Sequence, residues 1–329
     1  MTNTCKAILL TGATGFIGQH VCRHLLRAGF KVKVLIREKD QFGIDAHPNL
    51  EHCFGDLRDV SSLLNACANV EVVVHLASSS HANNAAINNI REVNVFGTQS
   101  LLSAAIRKNT KKFIFVSSSL ASNSGSNKDL STDYGLSKLE AERIVLAEQD
   151  KGTIETVILR PVNVYGEGMK GNISSLISLI SRGFMPRLPK LDNRISLLGV
   201  DDLSFAVELA IDSEKANGRT YLLTDGQEYP IYSIEREIYR ALGREMPRWK
   251  LPLMLLYTIV FVAVLLIKVL GFFKIRPTIL SGLSLRTYHN LVSENLFKNN
   301  EICNELGFRP KSTFYSSLPK IVETINHRV

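Results

Sequence analysis

The sequence predicts an α/β chain: a doubly wound parallel sheet with helices on both faces, followed by a smaller C-terminal lobe. Three observations predict it. Over residues 1–165 short apolar runs alternate with stretches of helical spacing, the rhythm of a parallel sheet covered on both sides. The first run leads into a glycine turn that opens a helix, Thr11–Gly18 (TGATGFIG), a context that lifts a glycine motif above chance. Beyond Pro161 the rhythm becomes irregular, with Gly and Pro clustered up to Pro189, as loops and insertions require. The boundary falls at residues 165/166, and residues 166–329 return in places to the sheet.

The elements follow in order. Lys6–Thr11 (KAILLT) reads as a buried strand, Phe16–Ala28 as a helix ended by Gly29, and Lys31–Ile36 (KVKVLI) as the second strand. Val70–Leu76, Lys112–Ser117 and Ile154–Leu159 read as further strands, with a helix over Val93–Lys108. At 329 residues the chain can bury a core without disulfide or metal staples. Apolar residues make up 45% and charged residues 21%, which excludes a disordered chain. The five cysteines are scattered, with no metal-ligand spacing, so reduced thiols and no metal are expected. His20 and His24 lie at i, i+4 but have no third ligand, and read as surface residues. The start lacks a charged region followed by a long apolar one, so a cytoplasmic location is expected. The net charge is +8, with +2 in residues 1–150 and +6 in residues 151–329. No basic run interleaved with aromatics accompanies it, which argues against nucleic acid as a partner.

The glycine turn carries the first chemistry. Gly12 permits the tight turn, Gly15 lets backbone approach a pyrophosphate, and Gly18 lets the helix pack closely. The helix N-terminus then offers free N–H groups to phosphates. Gly12, Thr14, Gly15, Phe16, Ile17 and Gly18 are therefore assigned to a dinucleotide in a Rossmann-type fold. The residue after the second strand selects the cofactor. Arg37 stands where an NAD site usually places an acid, and a guanidinium clamps a 2′-phosphate in bidentate fashion. NADP(H) is favoured; Glu38 next to it keeps NAD(H) as the alternative. Tyr134 and Lys138 form a YxxxK pair on one helix face, where an ammonium beside a phenol favours the phenolate. Ser117, Ser118 and Ser119 end the preceding strand, where active sites of doubly wound sheets collect.

With these features in this order, the sequence resembles the extended short-chain dehydrogenases/reductases, of the NAD-dependent epimerase/dehydratase type. The resemblance implies a catalytic triad of Ser118, Tyr134 and Lys138. GDL at Gly55–Leu57 resembles the family's adenine contact, implying Asp56 and Leu57. HLAS at His75–Ser78 resembles its cofactor-lining strand end, implying Leu76, Ala77 and Ser78. VNVFGT resembles its central helix motif, implying Asn94, and LRPVNVYG places Pro161 near the nicotinamide. YGEGMKGN, LDNRISLLGVDDL and ELGFRP resemble bacterial nucleotide-sugar enzymes of surface-polysaccharide assembly, closest to 4-ketoreductases and 4-epimerases. For the substrate this implies Ser119, Asn163 and Asn172. The family's diphosphate arginine falls at Ile195, and Arg194, one residue early, is the carry-over. Leu120 and Ala121 stand where dehydratases carry an acidic pair, which argues against dehydration.

The expected function is NADPH-dependent reduction of a 4-keto nucleotide sugar of the UDP-linked 6-deoxy-N-acetylhexosamine type, in O-antigen or capsule biosynthesis. The expected assembly is a homodimer. The alternatives are an NAD-dependent UDP-sugar 4-epimerase, a membrane-associated dehydrogenase of steroid-like 3-hydroxy substrates, and a cofactor-binding scaffold without catalysis. One segment stands apart. Leu251–Phe273 is 23 residues long with the single charge Lys268, near the roughly 20 apolar residues that span a bilayer. Its flanks are basic, as suits an anionic leaflet. Peripheral contact with the cytoplasmic face of the inner membrane is expected from it, against a buried helix or a full span.

Overall fold

The computed structural model describes residues 6–38, 40, 42–79, 87–123, 132–183, 186–189, 191–255, 257, 258, 261, 262, 265 and 294–326. The chain divides into two compact units. The first comprises Met1–Val164, Leu198–Asp225 and Lys298–Lys311, and the second Tyr165–Leu197, Gly226–Phe297 and Ser312–Val329.

The first unit is built on seven parallel strands: β1 (Ala7–Thr11), β2 (Lys31–Ile36), β3 (Leu50–Phe54), β4 (Val72–His75), β5 (Lys112–Val116), β6 (Glu155–Pro161) and β9 (Arg219–Leu223), in the order β3-β2-β1-β4-β5-β6-β9. The order reverses between β1 and β4, so a crevice opens at the carboxyl ends of those two strands. The sheet is covered by α1 (Phe16–Arg27), α2 (Val60–Ala66), α3 (Ile87–Arg91), α4 (Gly97–Arg107), α5 (Ser119–Asn123), α6 (Asp133–Asp150) and α8 (Val200–Asp212). The central strands are apolar on both faces: all five residues of β5 and all four of β4 are buried. Leu9, Val73, Phe113, Phe115, Leu101 and Val145 belong to one core cluster on this sheet.

Three differences from the sequence reading have physical causes. β3 (LEHCF) went unread because it is an edge strand with no fully buried residue; its register comes from β2, Leu35 opposite Cys53. The helix expected over residues 93–108 begins as a π-helical turn, Glu92–Phe96, before α4. His20 and His24 are not free surface residues. His24 Nε2 lies 2.6 Å from Glu208, 184 residues downstream, and His20 Nδ1 3.4 Å from Asp201, because α8 returns to cover α1.

In the second unit, Arg194–Ser196 of β8 (Arg194–Gly199) pair antiparallel with β10 (Glu228–Pro230), with Tyr229 opposite Ile195; the strand order is β10-β8-β7, where β7 is Asn163–Tyr165. Around Phe314, at the start of α10 (Phe314–Asn326), Tyr165 and Tyr229 pack edge-on at 5.5 and 6.0 Å, the favoured aromatic geometry. α7 (Asn172–Ser181) and α9 (Ile231–Ala241) bury Ile177, Ile180, Ile234 and Ile238. Within 251–273, residues 252–255, 257, 258, 261, 262 and 265 are all exposed, with Met254 at 86% and Trp249 just before them at 62%. Among the described residues no helix is long and apolar enough to cross a membrane. Lys268 and the rest of that stretch lie outside the described residues.

Candidate active site

The glycine turn follows β1. Gly12 has φ +73°, a left-handed conformation that glycine adopts without strain, and a Cβ there would lie 2.6 Å from Ala77 N. Gly15 N donates to Gly12 O at 3.0 Å and Gly15 forms the N-cap of α1 with no side chain over the turn. The first turn of α1, which begins with Phe16 and Ile17, holds no acidic residue. A Cβ on Gly18 would stand 2.0 Å from Gly12 O. Thr14 sits at the open rim and accepts from Gln19 through its carbonyl. Open N–H groups at a helix start, with backbone on every side, fit the pyrophosphate of a dinucleotide.

Two arginines flank the neighbouring strand ends. Arg37, directly after β2, donates in bidentate fashion to Asp40 at 3.0 and 2.9 Å. Arg58 does the same to Asp56 at 2.8 and 2.8 Å, and holds that carboxyl down at about 2. Leu57 is buried against Gly97, where a Cβ would come within 3.0 Å of it. The sequence marked Arg37 and Asp56 but not their partners, Asp40 and Arg58.

At the switch point a directional hydrogen-bond chain fixes the strand ends. Ala77 N donates to Thr11 Oγ1 (3.2 Å), Thr11 lies 2.7 Å from His75 Nδ1, and His75 Nε2 lies 2.9 Å from Thr98 Oγ1. Thr98 spends its own proton on Asn94 O (2.7 Å). Nε2 must therefore carry the imidazole proton and Nδ1 must accept from Thr11. Full burial drives His75 down to about 3, so it stays neutral. The π turn presents Asn94, whose Oδ1 accepts from Ser79 N (2.7 Å) and whose Nδ2 donates to Ser79 O (3.0 Å) and Ser137 Oγ (2.9 Å). A single π turn of this kind re-aims one side chain without ending the helix. Leu76 N is bonded to Thr11 O.

Tyr134 and Lys138 occupy the first turns of α6, capped by Thr132, which accepts from Gly135 N at 2.7 Å. The Tyr134 hydroxyl is hydrogen-bonded to Ser78. Lys138 is 2% exposed, donates to Val116 O at 2.8 Å and lies 4.4 Å from the Phe115 ring centroid. Burial lowers Lys138 to about 7. Burial raises the Tyr134 phenol above its ordinary value, and the Ser78 bond opposes this. Ser118 Oγ is half-buried and accepts from Leu120 N at 3.2 Å. Among the described residues, buried Ser117 Oγ has no hydrogen-bond partner, and Ser119 is buried at the start of α5.

Pro161 ends β6 and Asn163 is exposed in β7. Asn172 opens α7, in the second unit, where Arg194 is held by Glu228 and by Glu294 (2.9 Å). Among the described residues no group of three His, Cys, Asp or Glu is placed to hold a metal.

The chain is similar to several known proteins. The UDP-glucose 4-epimerase of Vibrio cholerae is 33% identical over 263 residues, 75% of this chain and 78% of its own. An N-acetyl-alpha-D-glucosaminyl-diphospho-ditrans,octacis-undecaprenol 4-epimerase of Escherichia coli O157:H7 is 27% identical, covering 74% and 75%. The 3beta-hydroxysteroid-dehydrogenase/decarboxylase isoform 1 of Arabidopsis thaliana is 23% identical, covering 99% and 81%. The crystal structure of gox2253 shares the fold, with TM-score 0.78, 24% identity and 99% of each chain covered. Residues 8–223 match the model of the NAD dependent epimerase/dehydratase family. The chain, an extended short-chain dehydrogenase/reductase enzyme, belongs to that family.

Proposed function

We propose that this enzyme reduces the 4-keto group of a UDP-linked 6-deoxy-N-acetylhexosamine with NADPH, as a homodimer, in the assembly of a surface polysaccharide. The observation that carries the acid–base part is the Tyr134 hydroxyl, held by Ser78 one helical turn from the buried Lys138. The dinucleotide supplies the hydride when bound, with the turn from Gly12 to Gly18 and Arg37 as its holders. Tyr134 gives its proton to the developing alkoxide, Ser118 orients the carbonyl through its hydroxyl, and Lys138 favours loss of the phenolic proton. Arg37 supports NADPH: its fork, now on Asp40, matches a phosphate equally well.

Purified protein is assayed with NADPH or NADH against a UDP-linked 4-keto-6-deoxy-N-acetylhexosamine. NADPH is expected to be preferred by about tenfold or more, an interaction of at least ~1.4 kcal/mol, and Arg37→Ala is expected to erase the preference. A protein that oxidises neither nucleotide with this sugar refutes the reductase reading.

A second reading, an NAD-dependent 4-epimerase, is supported by the two 4-epimerase relatives and by Asp40, whose carboxylate neutralises Arg37. Tightly held NAD in the purified protein, with UDP-glucose converted to UDP-galactose and no NADPH consumed, selects it. Turnover of a 3-hydroxysteroid instead selects the third reading, to which the Arabidopsis thaliana relative points.

The reading includes contact with the cytoplasmic face of a membrane through 251–273. Exposed Trp249, Leu253, Met254, Leu255, Tyr257, Phe261, Val262 and Leu265 form more apolar surface than isolated surface residues would. Arg244, Arg248 and Lys250 are exposed just before them. An interfacial segment combines such an apolar surface with cations that attract anionic lipid, about 1 kcal/mol for each. The protein is expected to sediment with phosphatidylglycerol vesicles and to lose at least about tenfold in affinity on Met254→Glu with Phe261→Glu. Equal sedimentation of the variant would remove the membrane from the reading.

A further inference from the structure

One buried ion pair beside the catalytic helix has no role so far. Glu142 lies one turn beyond Lys138 on the same face of α6 and is 1% exposed. Arg160, next to last in β6, grips it at both oxygens: Nε to Oε1 at 2.9 Å and Nη2 to Oε2 at 2.5 Å. The other close partners of Lys138, Val116 O and the Phe115 ring, carry no charge. Among the described residues the titratable groups next to Lys138 are Tyr134 and Glu142 on its own helix and neutral His75 on β4, and Arg160 on β6 reaches it through its grip on Glu142. Of these, Glu142 is the anion that acts on it.

On the reading of Tyr134 and Lys138 given above, we propose that Glu142 and Arg160 form a balanced pair whose net charge sets how much ammonium character Lys138 keeps, and with it the pH range over which Tyr134 exchanges its proton. Both are positioning residues, acting through Lys138. The sign follows from charge alone. With both present the pair is neutral. Glu142→Gln leaves a net positive charge, which disfavours the ammonium. Arg160→Met leaves a net negative charge, which favours it. The double variant is neutral again. A charge at this range moves a titration by about one pH unit or more.

The test follows the Lys138 signal in protein labelled with [ε-13C]lysine, assigned by its loss in Lys138→Met. The midpoint is expected near neutral in the wild type, about one unit lower in Glu142→Gln, about one unit higher in Arg160→Met, and close to wild type in the double variant and in Arg160→Lys. The alkaline limb of turnover moves in the same directions, since Lys138 loses its proton as pH rises. A midpoint unmoved in Glu142→Gln, or displaced equally in Glu142→Gln and the double variant, overturns the proposal, and these two variants decide it even if Arg160→Met does not fold. Undiminished turnover in Tyr134→Phe overturns the acid–base role given to Tyr134 and the link to it together. Unmoved midpoints beside an inactive Tyr134→Phe overturn this proposal alone.

Discussion

Tyr134→Phe is expected to lower turnover by about 10²–10⁴-fold, the usual contribution of a positioned general acid, while the protein still folds and binds its dinucleotide. The substitution removes one oxygen and leaves the ring, so packing at the start of α6 is preserved. What is lost is the only proton that this position can deliver, together with the bond to Ser78. The loss should fall on kcat rather than on KM, because the proton moves only in the transition state. A Phe variant with unchanged kcat would mean that Tyr134 is not the proton donor. Ser78→Ala, by contrast, removes only the anchor of the hydroxyl, so its effect should be the smaller of the two.

Gly18→Ala is expected to be the most damaging single methyl group in the first unit. The added carbon would lie 2.0 Å from Gly12 O, 2.7 Å from Gly12 C and 2.8 Å from the Ala13 Cα. None of these atoms belongs to a flexible side chain, so backbone must move. Overpacking of this kind costs about 1–3 kcal/mol or more, and here it displaces the turn that would face the pyrophosphate. Thermal unfolding should show a lower Tm, and fluorescence titration should show NADPH affinity reduced by more than about tenfold, which is ~1.4 kcal/mol. Gly43→Ala is the control: nothing lies within 4 Å of its added carbon, and an exposed change of this type stays within about 0.5 kcal/mol. Equal behaviour of the two variants would show that the close approach at Gly18 has no energetic weight.

Local features of this site were legible in the sequence, and features made by distant partners were not. TGATGFIG carries its own turn, because the three glycines, the strand before them and the helix after them are contiguous. Tyr134 and Lys138 share a face because they are four residues apart. Apolar β4 and β5 could be read because both their faces are covered. β3 could not, since an edge strand takes its register from β2 rather than from its own pattern. The partners of His20 and His24 come from α8. The grip of Arg160 on Glu142 joins a strand to a helix. Asp40 and Arg58, though only three and two residues from Arg37 and Asp56, were missed for a different reason: exposed ion pairs beyond a strand end carry no periodicity that marks them. The π turn was invisible for another reason: a single widened turn leaves the spacing of VNVFGT compatible with an ordinary helix.

The first unit is drawn from three separate lengths of chain, the last of them ending at Lys311. At a translation rate of about 5–20 residues per second, synthesis from residue 165 to the end of β9 at Leu223 takes roughly 3–12 s. Until β9 emerges, β6 has no neighbour on its outer side, and until α8 emerges, α1 has no cover. The nascent chain therefore carries an unpaired parallel edge on the ribosome for much of that interval, a state prone to pairing with other chains. Early termination after residue 164 would make the exposure permanent, so a truncated transcript should yield insoluble product rather than an isolated nucleotide-binding domain.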